Sequence, residues 1–153
     1  RARARTVSLA VVDAAFEGQA LQKMAANEFI KTARIFGRLQ ERFPDNELAG
    51  QAGLRAGHAY FRAARHQEAL TAFLRVIDEE GYDGPNVRSQ AMYWAGMSYQ
   101  QLRQAMAAYS IFKRLTYDFP ESEWAAYARA QLSQENMLNL ETELELKRLE
   151  EAQ

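Results

Sequence analysis

A fifteen-residue pattern that recurs at a fixed distance constrains this chain more than any other feature. Ile35-Phe36-x-Arg38-Leu39-x-x-x-Phe43-Pro44-x-x-Glu47-x-Ala49 returns as Ile111-Phe112-x-Arg114-Leu115-x-x-x-Phe119-Pro120-x-x-Glu123-x-Ala125, eight identities in fifteen positions at an offset of 76. Self-similarity at long, fixed spacing is the mark of architectures that stack one supersecondary unit. A middle copy lies between the two, since Ala69-x-x-x-Phe73-x-Arg75-Val76 falls 37 residues after Phe36 and 39 before Phe112. The period is therefore about 38 residues. The prolines Pro44, Pro85 and Pro120 each follow a long run of helix formers, so they punctuate helices.

Within that period the third copy reads Met92-x-x-Ala95-Gly96-x-x-Tyr99, Ala108-x-x-x-Phe112, Pro120, and the second Gly53-x-x-Ala56-Gly57-x-x-Tyr60, Ala69-x-x-x-Phe73. Both resemble the tetratricopeptide repeat, whose signature runs Trp-x-x-Leu-Gly-x-x-Tyr, then Ala-x-x-x-Phe, then Pro. The first copy is degenerate, with Phe16, Gln19, Ala20 and Lys23 in a first helix and Thr32, Phe36 and Pro44 in a second. The resemblance implies an all-α fold, an α-solenoid of about three helix-turn-helix repeats closed by a long C-terminal capping helix. Its expected divisions are an N-terminal arm or partial helix over 1–12, repeats over 13–49, 50–88 and 89–121, and the C-terminal helix over 122–153.

Two helices approach closely only where small residues meet, which is the role expected of Gly57 with Ala69 and Gly96 with Ala108. Phe36, Phe73 and Phe112 then pack each hairpin against the next, because one hairpin cannot cover its own apolar face. Glu80-Gly81-Tyr82-Asp83-Gly84-Pro85-Asn86 reads as a longer connection, with glycines ending one helix and a proline near the start of the next. Ser122 is the expected N-cap of a helix running unbroken from Trp124 to Leu149, whose early residues Trp124, Tyr127, Ala128 and Leu132 cap the array. Further on, Met137, Leu140 and Leu144 form one apolar stripe and Leu138, Leu146 and Leu149 a second.

Composition then removes function classes. Nineteen basic and twenty acidic side chains give a formal charge of -1, so no overall field draws the chain to nucleic acid. The basic Arg1-Ala-Arg3-Ala-Arg5 start offers only a weak, salt-sensitive attraction to phosphate. No stretch approaches the roughly 20 apolar residues of a membrane-spanning helix. The absence of cysteine excludes disulfides, thiolate metal sites and a thiol nucleophile. His58 and His66 stand without an acid at ligand spacing, which argues against a metal; His58 reads as ligand-contacting or solvated, His66 as surface. No serine elbow or phosphate-binding glycine loop occurs, so neither a catalytic residue nor a cofactor is expected. Starting at Arg1 rather than at a methionine, the chain reads as a processed or excised segment.

In tetratricopeptide proteins the first helices of successive repeats line a groove. The resemblance places Glu17, Leu21 and Met24 there from copy one, Leu54, His58, Phe61 and Arg62 from copy two, and Tyr93, Met97, Gln100 and Gln101 from copy three. Aromatic and methionine side chains among polar neighbours suit a protein or peptide partner, although Tyr93 and Phe61 equally suit a core. Members that grip acidic chaperone tails use lysines, asparagines and an arginine, and the corresponding Glu17, Leu21, Arg55, Gln90 and Trp94 do not match.

The steps Phe43-Pro44-Asp45-Asn46 and Phe119-Pro120-Glu121-Ser122 resemble bacterial cell-envelope repeat proteins. These include the periplasmic Tol-Pal-associated cell-division coordinator and the lipoprotein subunit of the outer-membrane protein assembly machinery. The likeness, over about residues 13–133, implies a non-catalytic scaffold or adaptor, periplasmic or associated with the outer membrane. A cytoplasmic setting stays open. Two alternatives stand beside it: self-association through Met137, Leu140 and Leu144, and an interaction domain cut from a larger enzyme or regulator.

Overall fold

The computed structural model describes the backbone of residues 2–46, 48–79 and 84–153, and side chains from residue 22 onward except at 47, 80–83 and 85. Among the described residues the chain is wholly helical: α1 (Ala2–Arg42), α2 (Ala49–Arg62), α3 (His66–Asp78), α4 (Pro85–Gln101), α5 (Ala105–Asp118), α6 (Glu123–Leu132) and α7 (Glu135–Glu151). Each helix from α1 to α6 packs on its successor, and α4 also touches α2 on one side and α6 on the other. The result is a helical repeat solenoid, with α2, α4 and α6 as the first helices of successive units and α3, α5 and α7 as the second.

The turns repeat as the sequence does. Ala64 and Arg103 occupy the left-handed region at φ 58° and 59°. In the first turn Arg65 N–H donates to the Tyr60 carbonyl, and in the second Gln104 N–H donates to that of Tyr99, both at 2.9 Å. This bond from beyond the helix end satisfies carbonyls that would otherwise be orphaned, and it holds a conformation that costs an L-residue about 1–2 kcal/mol. The tyrosine of each repeat thus supplies a ring to the core's flank and a carbonyl to the turn.

The glycines solve a packing problem posed by phenylalanine. A Cβ on Gly57 would stand 2.4 Å from Phe73 Cε1, and one on Gly96 2.3 Å from Phe112 Cε1. Each ring lies where the side chain would have been, and both phenylalanines are fully buried. The close approach expected from Gly57 with Ala69 and Gly96 with Ala108 is therefore glycine against ring. Ala69 and Ala108 are fully buried in the same core.

Two expectations about helix length are corrected. Residues 16–42, read as the two helices of a first hairpin, run on as part of one 41-residue helix. No proline interrupts them, and Ala26-Asn27-Glu28 contains nothing that forces a turn. Conversely, the helix expected to run unbroken from Trp124 to Leu149 breaks after Leu132. Gln134 is extended at ψ 148°, and the Ser133 hydroxyl donates to the Ala130 carbonyl at 2.8 Å. The break lets α7 fold back, burying Met137 and placing Leu140 against the core. It also puts Lys113 of α5 within 3.1 Å of Glu141. A straight helix would forfeit that burial. Ser122 does cap α6, accepting the Trp124 N–H at 3.1 Å. Of the longer connection, residues 80–83 lie outside the described residues. Gly84, at φ 128°, leads into α4, which Pro85 opens.

Candidate functional site

The sequence reading places the functional face on the first helices. From copy one, the side chains of Glu17 and Leu21 lie outside the described residues, and Met24 is exposed on α1. On α2, Leu54 is buried and serves as floor, while His58 and Phe61 are half-buried. Arg62 is exposed, with its guanidinium 4.8 Å from the centre of the Phe29 ring of α1. On α4, Tyr93, Met97 and Gln100 are half-buried and Gln101 is exposed. Tyr93 and Phe61 flank the core without being enclosed by it.

What joins these residues is an aromatic row across three helices. Phe61 of α2 meets Trp94 of α4 edge-on at 5.2 Å, and Trp94 meets Tyr93 at 5.4 Å. Tyr93 then meets Trp124 and Tyr127 of α6 at 5.5 and 5.9 Å. Contacts of this kind give each seam an apolar, geometrically specific joint. The side-chain amides complete the seams. Gln90 lies 3.2 Å from His58 Nε2 between α4 and α2, and Gln100 donates to Gln131 at 3.3 Å between α4 and α6.

Both histidines are half-buried. His58 is wedged between the rings of Phe73 and Trp94, at 5.5 and 4.9 Å. Burial pushes its pKa below the ordinary value, and the charge of Arg62 adds to that. It is a neutral, seam-filling ring rather than a solvated one. His66 is half-buried and edge-on to Phe61 at 4.8 Å. Tyr93 is held in its protonated form, chiefly by burial, so its hydroxyl is a neutral hydrogen-bonding group.

Between α2 and α4 a recess of about 320 Å³ is lined by Gln51, Leu54, Arg55, His58, Asn86, Val87 and Gln90. It has an apolar floor and a rim of amides with one guanidinium. Among the described residues, no three or more histidine, aspartate or glutamate side chains stand together as a metal ion would require. No helix among them is long and apolar enough to cross a membrane.

Trp94, Trp124, Tyr127 and Gln131 belong to this face, although the sequence reading gave Trp124 and Tyr127 only a capping role. The signal was the repeat itself: Ala125 of α6 stands 76 residues after Ala49 of α2 in the duplicated pattern, so the aromatic residues of α6 continue the row of first helices. The two apolar stripes of α7 also have different fates. Met137 is buried within the chain and Leu140 and Leu144 are half-buried, whereas Leu138, Leu146 and Leu149 are exposed. The stripe read for self-association is the one turned toward α5.

A family model described as outer membrane lipoprotein, YfiO, matches residues 11–149 of the chain. No curated protein and no solved structure matches it.

Proposed function

From the membership of this chain in the YfiO outer membrane lipoprotein family, we propose that it is a non-catalytic scaffold that holds a protein partner at the outer membrane. The reading extends to the assembly of outer-membrane proteins, in line with the resemblance of its Phe-Pro steps. The observation that supports it is the aromatic row from Phe61 through Trp94 and Tyr93 to Tyr127, beside a peptide-sized recess. Rigid aromatic anchors ringed by amides gain burial from a partner at small conformational cost. Nothing in that arrangement activates a nucleophile or polarises a substrate. The partner fitting it is an extended or helical peptide segment with apolar anchors.

Affinity capture from a bacterial envelope extract tests this, with the unaltered chain and a Tyr93→Ala/Met97→Ala variant as parallel baits and a cytosolic extract as control. The expected result is a set of envelope proteins retained by the first bait and lost by the second. Equal capture by both baits would remove the first-helix face from the proposal.

A further inference from the structure

The repeats carry the same pattern but not the same exposure. In the second and third copies Ala69, Phe73 and Val76, and Ala108, Phe112 and Leu115, are all fully buried. Their counterparts in the first copy are Thr32, which is exposed, Phe36, half-buried, and Leu39, 44% exposed. Beside them Ile35 is 58% and Phe43 55% exposed, whereas Ile111, the counterpart of Ile35, is 8%. The rings of Phe29 and Phe36 take the guanidinium groups of Arg62 and Arg55 at 4.8 and 5.7 Å. What the first copy lacks is its own first helix. Gly57 of α2 lies over Phe73 and Gly96 of α4 over Phe112, but residues 2–26 continue straight along α1.

The chain nevertheless contains that helix. The residue 37 before Gly57 and 76 before Gly96 is Ala20, a small one. By the same offsets, the counterpart of the left-handed turn residues Ala64 and Arg103 is Asn27. Apart from glycine, asparagine is among the residues that adopt that conformation most readily. Residues 2–26 thus read as the first half of a hairpin whose turn has been drawn out into helix.

We propose that two copies of this chain exchange these halves, their α1 helices packing antiparallel about a two-fold axis at Glu28. In the intact hairpins Gly57 faces Phe73 about residue 65, and Gly96 faces Phe112 about residue 104. The same mirror relation in α1 sets Ala20 opposite Phe36 about residue 28. Two straight helices crossing there make this contact twice, each copy's Ala20 over the other's Phe36, without breaking either helix. Exchange of an identical element requires no new complementary surface, because the contacts are those the repeat already encodes.

The absence of cysteine permits a clean test. Met24 and Thr32 stand at mirrored positions about residue 28, but along one straight helix they are roughly 12 Å apart, beyond the reach of a disulfide. Oxidation of a Met24→Cys/Thr32→Cys variant is therefore expected to give a covalent dimer. Light scattering of the unaltered chain should give a mass twice the 17.5 kDa of one copy, falling on dilution. Leu39→Glu should weaken the dimer roughly tenfold or more, while Leu146→Glu on α7 leaves it unchanged. An intrachain disulfide in a monomer would show the hairpin closing on itself and overturn the exchange. So would a monomeric mass without a disulfide, or a dimer lost with Leu146→Glu but kept with Leu39→Glu.

Discussion

Gln90 of α4 and His58 of α2 meet across their seam at 3.2 Å, side-chain amide to Nε2, a contact in which the amide donates when the histidine nitrogen is unprotonated. His58 also sits between two aromatic rings, and its folded pKa lies below the ordinary 6.5. The unfolded chain therefore takes up a proton at a pH where the folded chain does not. Stability from this site is fully present above about pH 6.5 and is lost as the pH falls through the folded pKa of His58. Melting temperature should drop more steeply from pH 7.5 to 5.5 in the unaltered chain than in His58→Gln. Parallel slopes in circular-dichroism melts would contradict this.

The contact between Gly96 and Phe112 is strictly one-sided: the ring occupies the volume that any side chain on residue 96 would need. Phe112→Ala should cost about 3–5 kcal/mol by leaving a cavity. Gly96→Leu should cost about 1–3 kcal/mol or more by displacing the ring. Denaturant unfolding measures both, and midpoints unchanged by either substitution would refute the packing.

Met137 links the last helix to the body of the solenoid, since it is the fully buried side chain just beyond the break at Ser133 and Gln134. Met137→Ala is expected to cost about 2–5 kcal/mol and to loosen α7 from α5. Amide exchange over residues 135–151 should then accelerate more than exchange in α2 and α3. The exposed pair Lys113 and Glu141 should matter far less, and Lys113→Ala is expected to shift stability by under about 1 kcal/mol.

Both tryptophans of the chain, Trp94 and Trp124, stand in the aromatic row, so their emission reports on that face alone. A partner peptide seated there should shift or quench it. Tyr93→Ala/Met97→Ala should weaken the binding by roughly tenfold or more while far-ultraviolet circular dichroism keeps its helical signature. Unchanged affinity in the double variant would move the partner to another surface.

The sequence by itself determined the repeat, its period, the all-helical class, the Ser122 cap and the burial of Phe73 and Phe112. Each of these follows from residues whose requirements are local or recur at a fixed offset. Glycine at 57 and 96, with phenylalanine sixteen residues later, encodes a helix pair wherever it occurs. The tertiary structure alone decided two other matters. Neither Ala26-Asn27-Glu28 nor Leu132-Ser133-Gln134 contains a glycine or proline, so local preference leaves both helix and turn open. The chain turns at the second, where Met137 gains a buried site on α5, and runs straight through the first. The surroundings of His58 were likewise invisible, because Gln90 and Trp94 come from the next repeat and reach it only when the first helices stack. Periodicity reveals which residues share a helix face. Which neighbour covers that face depends on burial gained between units far apart in the chain.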